Sequence, residues 1–415
     1  MKVCMAVLNI VTIDARVKGE AAALQKAGHD VTIVGKWKRG YSREEYLDGV
    51  RVIRPAGPYT LVSKLWDLFL ASPYIFKGME GLRARFSVLR EKRKSEGLTR
   101  VLSQQAADVY HAHDCNVLLE CTRAAEHNGS MLVYDSHELW LDLHINKNHT
   151  AQYRVDAWTK TEAECAPKAD LVITVCECIA KRLQEMYALR ELPTVIYNCS
   201  PLREYMHMDY LREKYLHTPK ERRIILYQGV IQVGRGLEKL VELAHLMPEY
   251  DFVIIGPVNS KELEAELRKQ SRDISNVYIL PPVGHDELWK ITCSADFGYV
   301  CTEPYCDSYR FSMTNKMFAY LVAGIPLIAN DLPGHREMLE KCPEGAEPAI
   351  IVPMDDPEQV AAQVRAVAGD DGRYEKMARD SYAAARDVFN REREHAKLAD
   401  RYAALEEKLR EKRGE

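Results

Sequence analysis

Residues 314–334 read TNKMFAYLVAGIPLIANDLPG. Thr314 is a helix-capping residue type, and Gly324 is a natural end for the helix it would open. The amide groups at such a helix start are free to hold an anion. Pro326-Leu327-Ile328-Ala329 is a short apolar run, the mark of a buried strand, and the turn at 331–334 opens another helix. A helix, a glycine turn and a buried strand in so few residues are the repeating unit of a parallel sheet covered on its faces.

The same unit repeats on both sides of this stretch. In the first half, strands are expected at 2–8, 31–34, 50–54, 109–112, 131–134, 171–175 and 195–197. In the second half they are expected at 223–228, 252–255, 277–280, 297–300, 326–329 and 350–352. Most are rich in Val and Ile, as strands buried on both faces are. Helices fill the gaps, for example at 20–27, 237–246 and 286–294. Two successive sets predict an α/β protein of two doubly wound, Rossmann-like domains facing a cleft. The expected organisation is a first domain over 1–198, a polar, proline-flanked linker over 199–222, a second domain over 223–373 and a helical tail over 374–415. The tail carries apolar positions at Tyr382, Phe389, Leu398, Tyr402 and Leu405. Taken alone it is an amphipathic end helix.

Composition narrows the class. The chain has 415 residues, 47% of them hydrophobic, which suits two cores better than one. A net charge of −4 argues against nucleic acid as a partner. No apolar run reaches the length of a membrane span, and the N-terminus lacks the positive region and cleavage site of a signal peptide, so a cytoplasmic protein is expected. The eleven cysteines show no zinc-type spacing and read as reduced thiols, and no metal is expected. Residues 59–100 carry Trp66, Phe69, Tyr74 and Phe76, then a basic run including Arg90, Lys92, Arg93 and Lys94. Such a stretch suits either peripheral contact with the inner face of a membrane or a helical pair with a solvated basic face.

Ligands of open parallel sheets sit at the carboxyl ends of strands. After the first strand of the second domain come Gly229, Gly234, Arg235 and Gly236. The glycines let backbone approach a phosphate, and Arg235 supplies a fixed charge. Helix-start amides at Thr314, Asn315 and Lys316, with the lysine charge, suit a second phosphate contact. Glu303, in CTEP, is either a site carboxylate or a solvated loop acid. In the first domain, His113 and Asp114 close one strand, and Asp135, His137 and Glu138 close the next. His113 and Asp135 are the candidates to orient a reacting hydroxyl. His111 and His113 share a strand face, a weak metal signal. Arg16, in the loop expected over 9–19, can either bind an anion or close the loop with a salt bridge.

The Thr314–Gly334 run closely resembles the donor-site segment of GT-B glycosyltransferases, in particular the family-4-like enzymes. Arg235-Gly236 matches one half of the pair of cations that grip the donor diphosphate in that family. The segment at 345–364 matches the family's closing run. The resemblance implies a nucleotide-sugar donor, UDP- or GDP-linked, with no other cofactor. Gly229, Arg235, Gly236, Leu280, Val283, Glu303, Thr314, Asn315 and Lys316 would hold it, Leu280 and Val283 by backbone contact with the base. His113 and Asp135 would act at the transferring sugar, with Arg16, His137 and Glu138 toward the acceptor. It further implies retention of configuration, a sugar, glycolipid or small-molecule acceptor in surface polysaccharide or other glycoconjugate synthesis, and a last helix that crosses back to the first domain. No Asp-x-Asp occurs, so the metal clamp of the other main glycosyltransferase fold is missing. The sequence departs from the family at Val230, where an arginine is usual, and at Phe311 and Ala319, where glutamates are. Those departures keep two rivals open: a scaffold for a partner transferase, and a nucleotide-sugar epimerase.

Overall fold

The computed structural model describes residues 1–55, 80–145 and 151–414. It divides into two compact units, one made of Met1–Ile196 with His395–Glu415, the other of Tyr197–Glu394. Each is a parallel-sheet, Rossmann-like body.

The first unit holds β1 (Lys2–Ala6), β2 (Asp30–Val34), β3 (Glu44–Leu47), β4 (Val50–Ile53), β5 (Val109–His113), β6 (Met131–Ser136), β7 (Leu171–Thr174) and β8 (Thr194–Val195). Their order across the sheet is β3-β4-β2-β1-β5-β6-β7-β8. All described pairs are parallel except β3 with β4. Side chains alternate as a strand requires. Val3 and Met5 of β1 enter one core, and Cys4 and Ala6 enter the other on the opposite face. The first of these cores also contains Leu398, Tyr402, Leu405 and Leu409 from the terminal helix Arg391–Arg413.

The second unit holds β9 (Ile224–Gln228), β10 (Asp251–Ile255), β11 (Val277–Leu280), β12 (Phe297–Val300), β13 (Leu327–Asn330) and β14 (Ala349–Val352). The order is β11-β10-β9-β12-β13-β14, all parallel. The chain thus builds outward from β9 on one side and then restarts beside it at β12. The break between them is the switch point where such sheets bind ligands; the first sheet has its own between β1 and β5. The loops leaving β9 and β10 touch. A Cβ on Gly256, whose φ is +151°, would lie 1.9 Å from the Gly229 carbonyl oxygen, so only glycine fits.

Three expectations need correction. The first helix begins at Ala15, not at 20, because Asp14 caps it by accepting from the Val17 amide. Arg16 is therefore a helical residue. The tail is two helices, Asp371–Asp387 and Arg391–Arg413, separated where Phe389 turns into the core and Asn390 bonds back to the Ala385 and Arg386 carbonyls. The edge strand β3, EEYL, has no apolar run and gave no signal. The aromatic residues Trp66, Phe69, Tyr74 and Phe76 lie outside the described residues, while Arg90, Lys92, Arg93 and Lys94 sit on the helix Glu80–Ser103.

Candidate active site

In the second unit, polar groups gather at the carboxyl ends of β9, β12 and β13. Gly236 starts the helix Leu237–Leu246 with φ +61°, and a Cβ there would meet the Cys301 sulfur at 2.5 Å. That close approach fixes Arg235 beside the end of β12. Its guanidinium lies over the Tyr309 ring, 5.1 Å from the centroid. With the Gln232 amide oriented to satisfy its neighbours, the amide oxygen accepts from Arg235 Nε and Nη2, each at 3.2 Å. Both supports are neutral.

Lys316 stands in the first turn of the helix Asn315–Val322, its Nζ 3.9 Å from the Tyr227 ring centroid. Burial, and then the Arg235 charge, push its pKa well below the ordinary lysine value. Among the described residues, no carboxylate pairs with Arg235 or Lys316. Thr314 precedes the helix but its hydroxyl makes no capping bond; Oγ1 is buried and without a partner. Thr302 Oγ1 and His335 Nε2 are likewise buried and unpartnered at the ends of β12 and β13. His335 Nδ1 bonds the Asn330 carbonyl, and burial lowers its pKa to about 4, so its Nε2 is a free acceptor.

The remaining positions predicted in this unit are less engaged. Asn315 is exposed and accepts from Asn198. Glu303 is half-buried and bound by the Tyr305 hydroxyl. Leu280 and Val283 are half-buried near the end of edge strand β11, two strands from β9. Val230 points partly to solvent, and Ala319 leaves no acid on its turn of helix.

In the first unit, β5 and β6 pair so that His113 and Asp135 are direct neighbours. Arg16 reaches Asp135 in a two-pronged grip, Nε to Oδ2 at 2.9 Å and Nη2 to Oδ1 at 2.8 Å, and donates Nη1 to the Ile196 carbonyl. Its Nε also lies 3.1 Å from Glu20. Asp135 Oδ2 further meets His113 Nδ1 at 3.2 Å and His137 Nε2 at 3.0 Å. Burial alone would raise the pKa of Asp135; Arg16 and the histidine bonds outweigh it and hold the acid well below the carboxylate range.

Arg16, His113 and Asp135 are all buried. Arg16 therefore has no free face for an anionic acceptor; it is committed to the salt bridge. The member of the cluster that reaches solvent is His137, whose side chain is 21% exposed. Burial would lower its pKa, but Asp114 and Asp135 on either side push it up to about 10, so it is an imidazolium at neutral pH. With Nε2 held by Asp135, it can offer its positive charge and the Nδ1 proton to a substrate oxygen, and it cannot act as a base there. Glu138 is half-buried beside it. Asp114 holds His137 from the other side, accepting from its amide and lying 3.4 Å from Nδ1. Its own backbone sits at φ +68°, ψ 163°, a region almost confined to glycine. Strain of this kind gathers at functional sites. Asp114, Glu20, Tyr309, Thr302 and His335 were not singled out as site residues from sequence. The Asp14 cap, which places Glu20 one turn after Arg16, was the one local signal on offer.

Glu20, His111, His113 and Asp135 bring metal-type ligand atoms within 4.8 Å of one another. The geometry does not suit a metal. Arg16 Nε already stands between the two carboxylates. The two histidine rings are stacked, 4.3 Å apart and 21° from parallel, so their lone pairs run side by side and do not converge.

Two family descriptions match this chain: "Glycosyl transferase 4-like domain" over residues 12–199 and "Glycosyl transferase-like" over residues 232–407. The chain belongs to the GT-B glycosyltransferases. Among solved structures it is similar to sucrose-phosphate synthase from Thermosynechococcus elongatus, at 15% identity and TM-score 0.75, covering 98% of this chain and 99% of that one. It is also similar to the Anabaena protein HepE, solved with UDP and glucose, at 14% identity and TM-score 0.69, covering 97% and 99%. A third is WaaG, a glycosyltransferase of lipopolysaccharide biosynthesis, at 13% identity and TM-score 0.65, covering 96% and 98%. A search of curated proteins gave no match. Among the described residues, no helix is long and apolar enough to cross a membrane.

Proposed function

We propose that the chain moves a sugar from a nucleoside-diphosphate sugar to an acceptor hydroxyl, with the donor on the second unit and the acceptor served by the first. One observation carries this reading: Arg235 and Lys316, two basic side chains with no carboxylate partner among the described residues, stand at the switch point of the second sheet with the unbonded Thr314 hydroxyl. Bringing two like charges together without an anion is unfavourable, and a diphosphate would relieve it. As the sugar leaves, negative charge grows on that diphosphate, and fixed cations and helix-start amides stabilise it. That arrangement needs no metal. His137, with Glu138 beside it, would meet the acceptor or the transferring sugar, while Asp135 anchors the histidines. UDP-glucose is the first donor to test, since HepE has been solved with it; GDP-sugars come next. Retention of configuration, a glycoconjugate acceptor and work at the cytoplasmic membrane face belong to the same reading.

The departures at Val230, Phe311 and Ala319 favour one rival, a scaffold that binds donor without using it. Calorimetry and thermal shift with UDP-, GDP- and ADP-sugars, followed by a search for transfer or release of sugar, separate the cases. Binding with transfer supports the proposal. Binding without turnover supports the scaffold, and epimer formation without acceptor supports an epimerase. A folded chain that binds none of the donors sinks the donor-site reading.

A further inference from the structure

Behind the His137 cluster lies a second tier of groups that the proposed reaction does not use. The Tyr402 hydroxyl, on the terminal helix, lies 2.8 Å from His111 Nδ1. Both side chains are fully buried. Burial raises the phenol pKa well above its ordinary value and lowers that of His111 well below its own, so the phenol keeps its proton and the imidazole is neutral. Among the described residues the hydroxyl has no other hydrogen-bond partner, so its proton is satisfied by donating to Nδ1, which leaves the imidazole proton on Nε2. That proton faces Glu20 at 3.9 Å, too far for a hydrogen bond. The His111 ring lies flat against His113.

We propose that Tyr402 is a positioning residue for the histidine cluster: its hydroxyl fixes His111 as the neutral Nε2–H tautomer, and the stacked His111 ring in turn sets the plane of His113 against Asp135 and His137. The terminal helix thus supplies one hydrogen bond to the chemistry as well as apolar side chains to the core. The inference rests on the proposed function only where activity is the readout; the tautomer is a property of the folded chain.

The groups around His111 set the effect of removing the hydroxyl. Burial, then His113, Arg16 and His137, oppose a charged His111, and Asp135 favours it; Glu20 lies 3.9 Å from its Nε2, and His29 packs against the Tyr402 ring at 5.7 Å. A donor to the Nδ1 lone pair favours the neutral ring, so Tyr402→Phe makes His111 easier to protonate. A new charge stacked on His113 would then appear as pH falls.

The test has two arms. In the wild-type chain labelled with nitrogen-15 at histidine, NMR should show His111 with Nδ1 unprotonated and Nε2 protonated. The reverse pattern overturns the proposal, whatever the chain's activity. In Tyr402→Phe, turnover should fall about ten- to a hundredfold with the KM for UDP-glucose unchanged, and the acid limb of the pH profile should move to higher pH. A variant that only melts earlier, with turnover and pH profile superimposable on wild type, would make Tyr402 merely structural. If the wild type transfers no sugar, the proposed function fails and the NMR arm still judges this inference.

Discussion

Removing the Arg235 side chain tests the donor site most directly. The guanidinium rests on the Tyr309 ring and the Gln232 amide, so Arg235→Ala strands no buried carboxylate. Stability of the free protein should change by less than about 0.5 kcal/mol. Donor affinity should not be spared. One charge-assisted contact to phosphate is worth about 1.5–3 kcal/mol, which is roughly a 10- to 150-fold rise in Kd. Arg235 also helps hold the Lys316 pKa down, after burial. Without it, Lys316 regains its proton more readily and keeps it to higher pH. Wild-type affinity should therefore decline with rising pH before that of the variant, and the gap between them should narrow. A bound diphosphate favours the Lys316 ammonium, so binding should also take up a proton at any pH where Lys316 of the free protein is neutral. Titration calorimetry with UDP-glucose, in two buffers of different ionisation enthalpy, reads both effects. A Kd within twofold of wild type would remove Arg235 from the site. Heats that do not depend on buffer at any pH below the ordinary lysine value would refute the account of Lys316.

Thr314→Val replaces an unbonded buried hydroxyl by a methyl group. The free protein should melt no earlier, and donor-induced stabilisation should shrink, by about the 0.5–1.5 kcal/mol of one hydrogen bond. His137 gains a folded-state pKa of about 10 from an ordinary 6.5, so the stability it contributes is full below about pH 6.5 and is lost as pH rises through about 10. Urea midpoints across that range should fall in wild type and fall less in His137→Asn. Arg16→Met takes the two-pronged guanidinium from buried Asp135, leaving it His137 as its cation, and should cost about 3 kcal/mol in chemical unfolding.

Much of the architecture was legible because buried parallel strands announce themselves. IILY, FVII and PLIA are apolar runs between helices, and the strands they form lie within one residue of the ranges expected for them. Strand β3 was invisible because an edge strand made of Glu, Glu, Tyr and Leu has no such run. The glycine run and Lys316 are legible as candidates for phosphate binding because glycines and cations at helix starts are local marks. The first unit's cluster marked its members, His113, Asp135 and His137 at strand ends, but not the connections between them. Arg16 meets Asp135 across 119 residues, and His111 meets Tyr402 across 291. No window of sequence contains such pairs. Whether Arg16 would bind a ligand or an internal acid depended on where a strand 119 residues away would end, which only the folded sheet decides.

The terminal helix has a further consequence, in time. The second unit is one uninterrupted stretch, Tyr197–Glu394, whereas the first needs residues from His395 onward. Leu398, Tyr402, Leu405 and Leu409 are part of its core. At the roughly 5–20 residues per second of synthesis, the ribosome needs about 10–40 s to pass through the second unit. For that interval the first 196 residues wait with one face of their sheet covered only in part, by Val17, Ala21 and Leu24 of the first helix. The usual order of birth is then reversed: the unit made second can finish folding first, and the unit begun first is completed by a helix that follows it out of the ribosome.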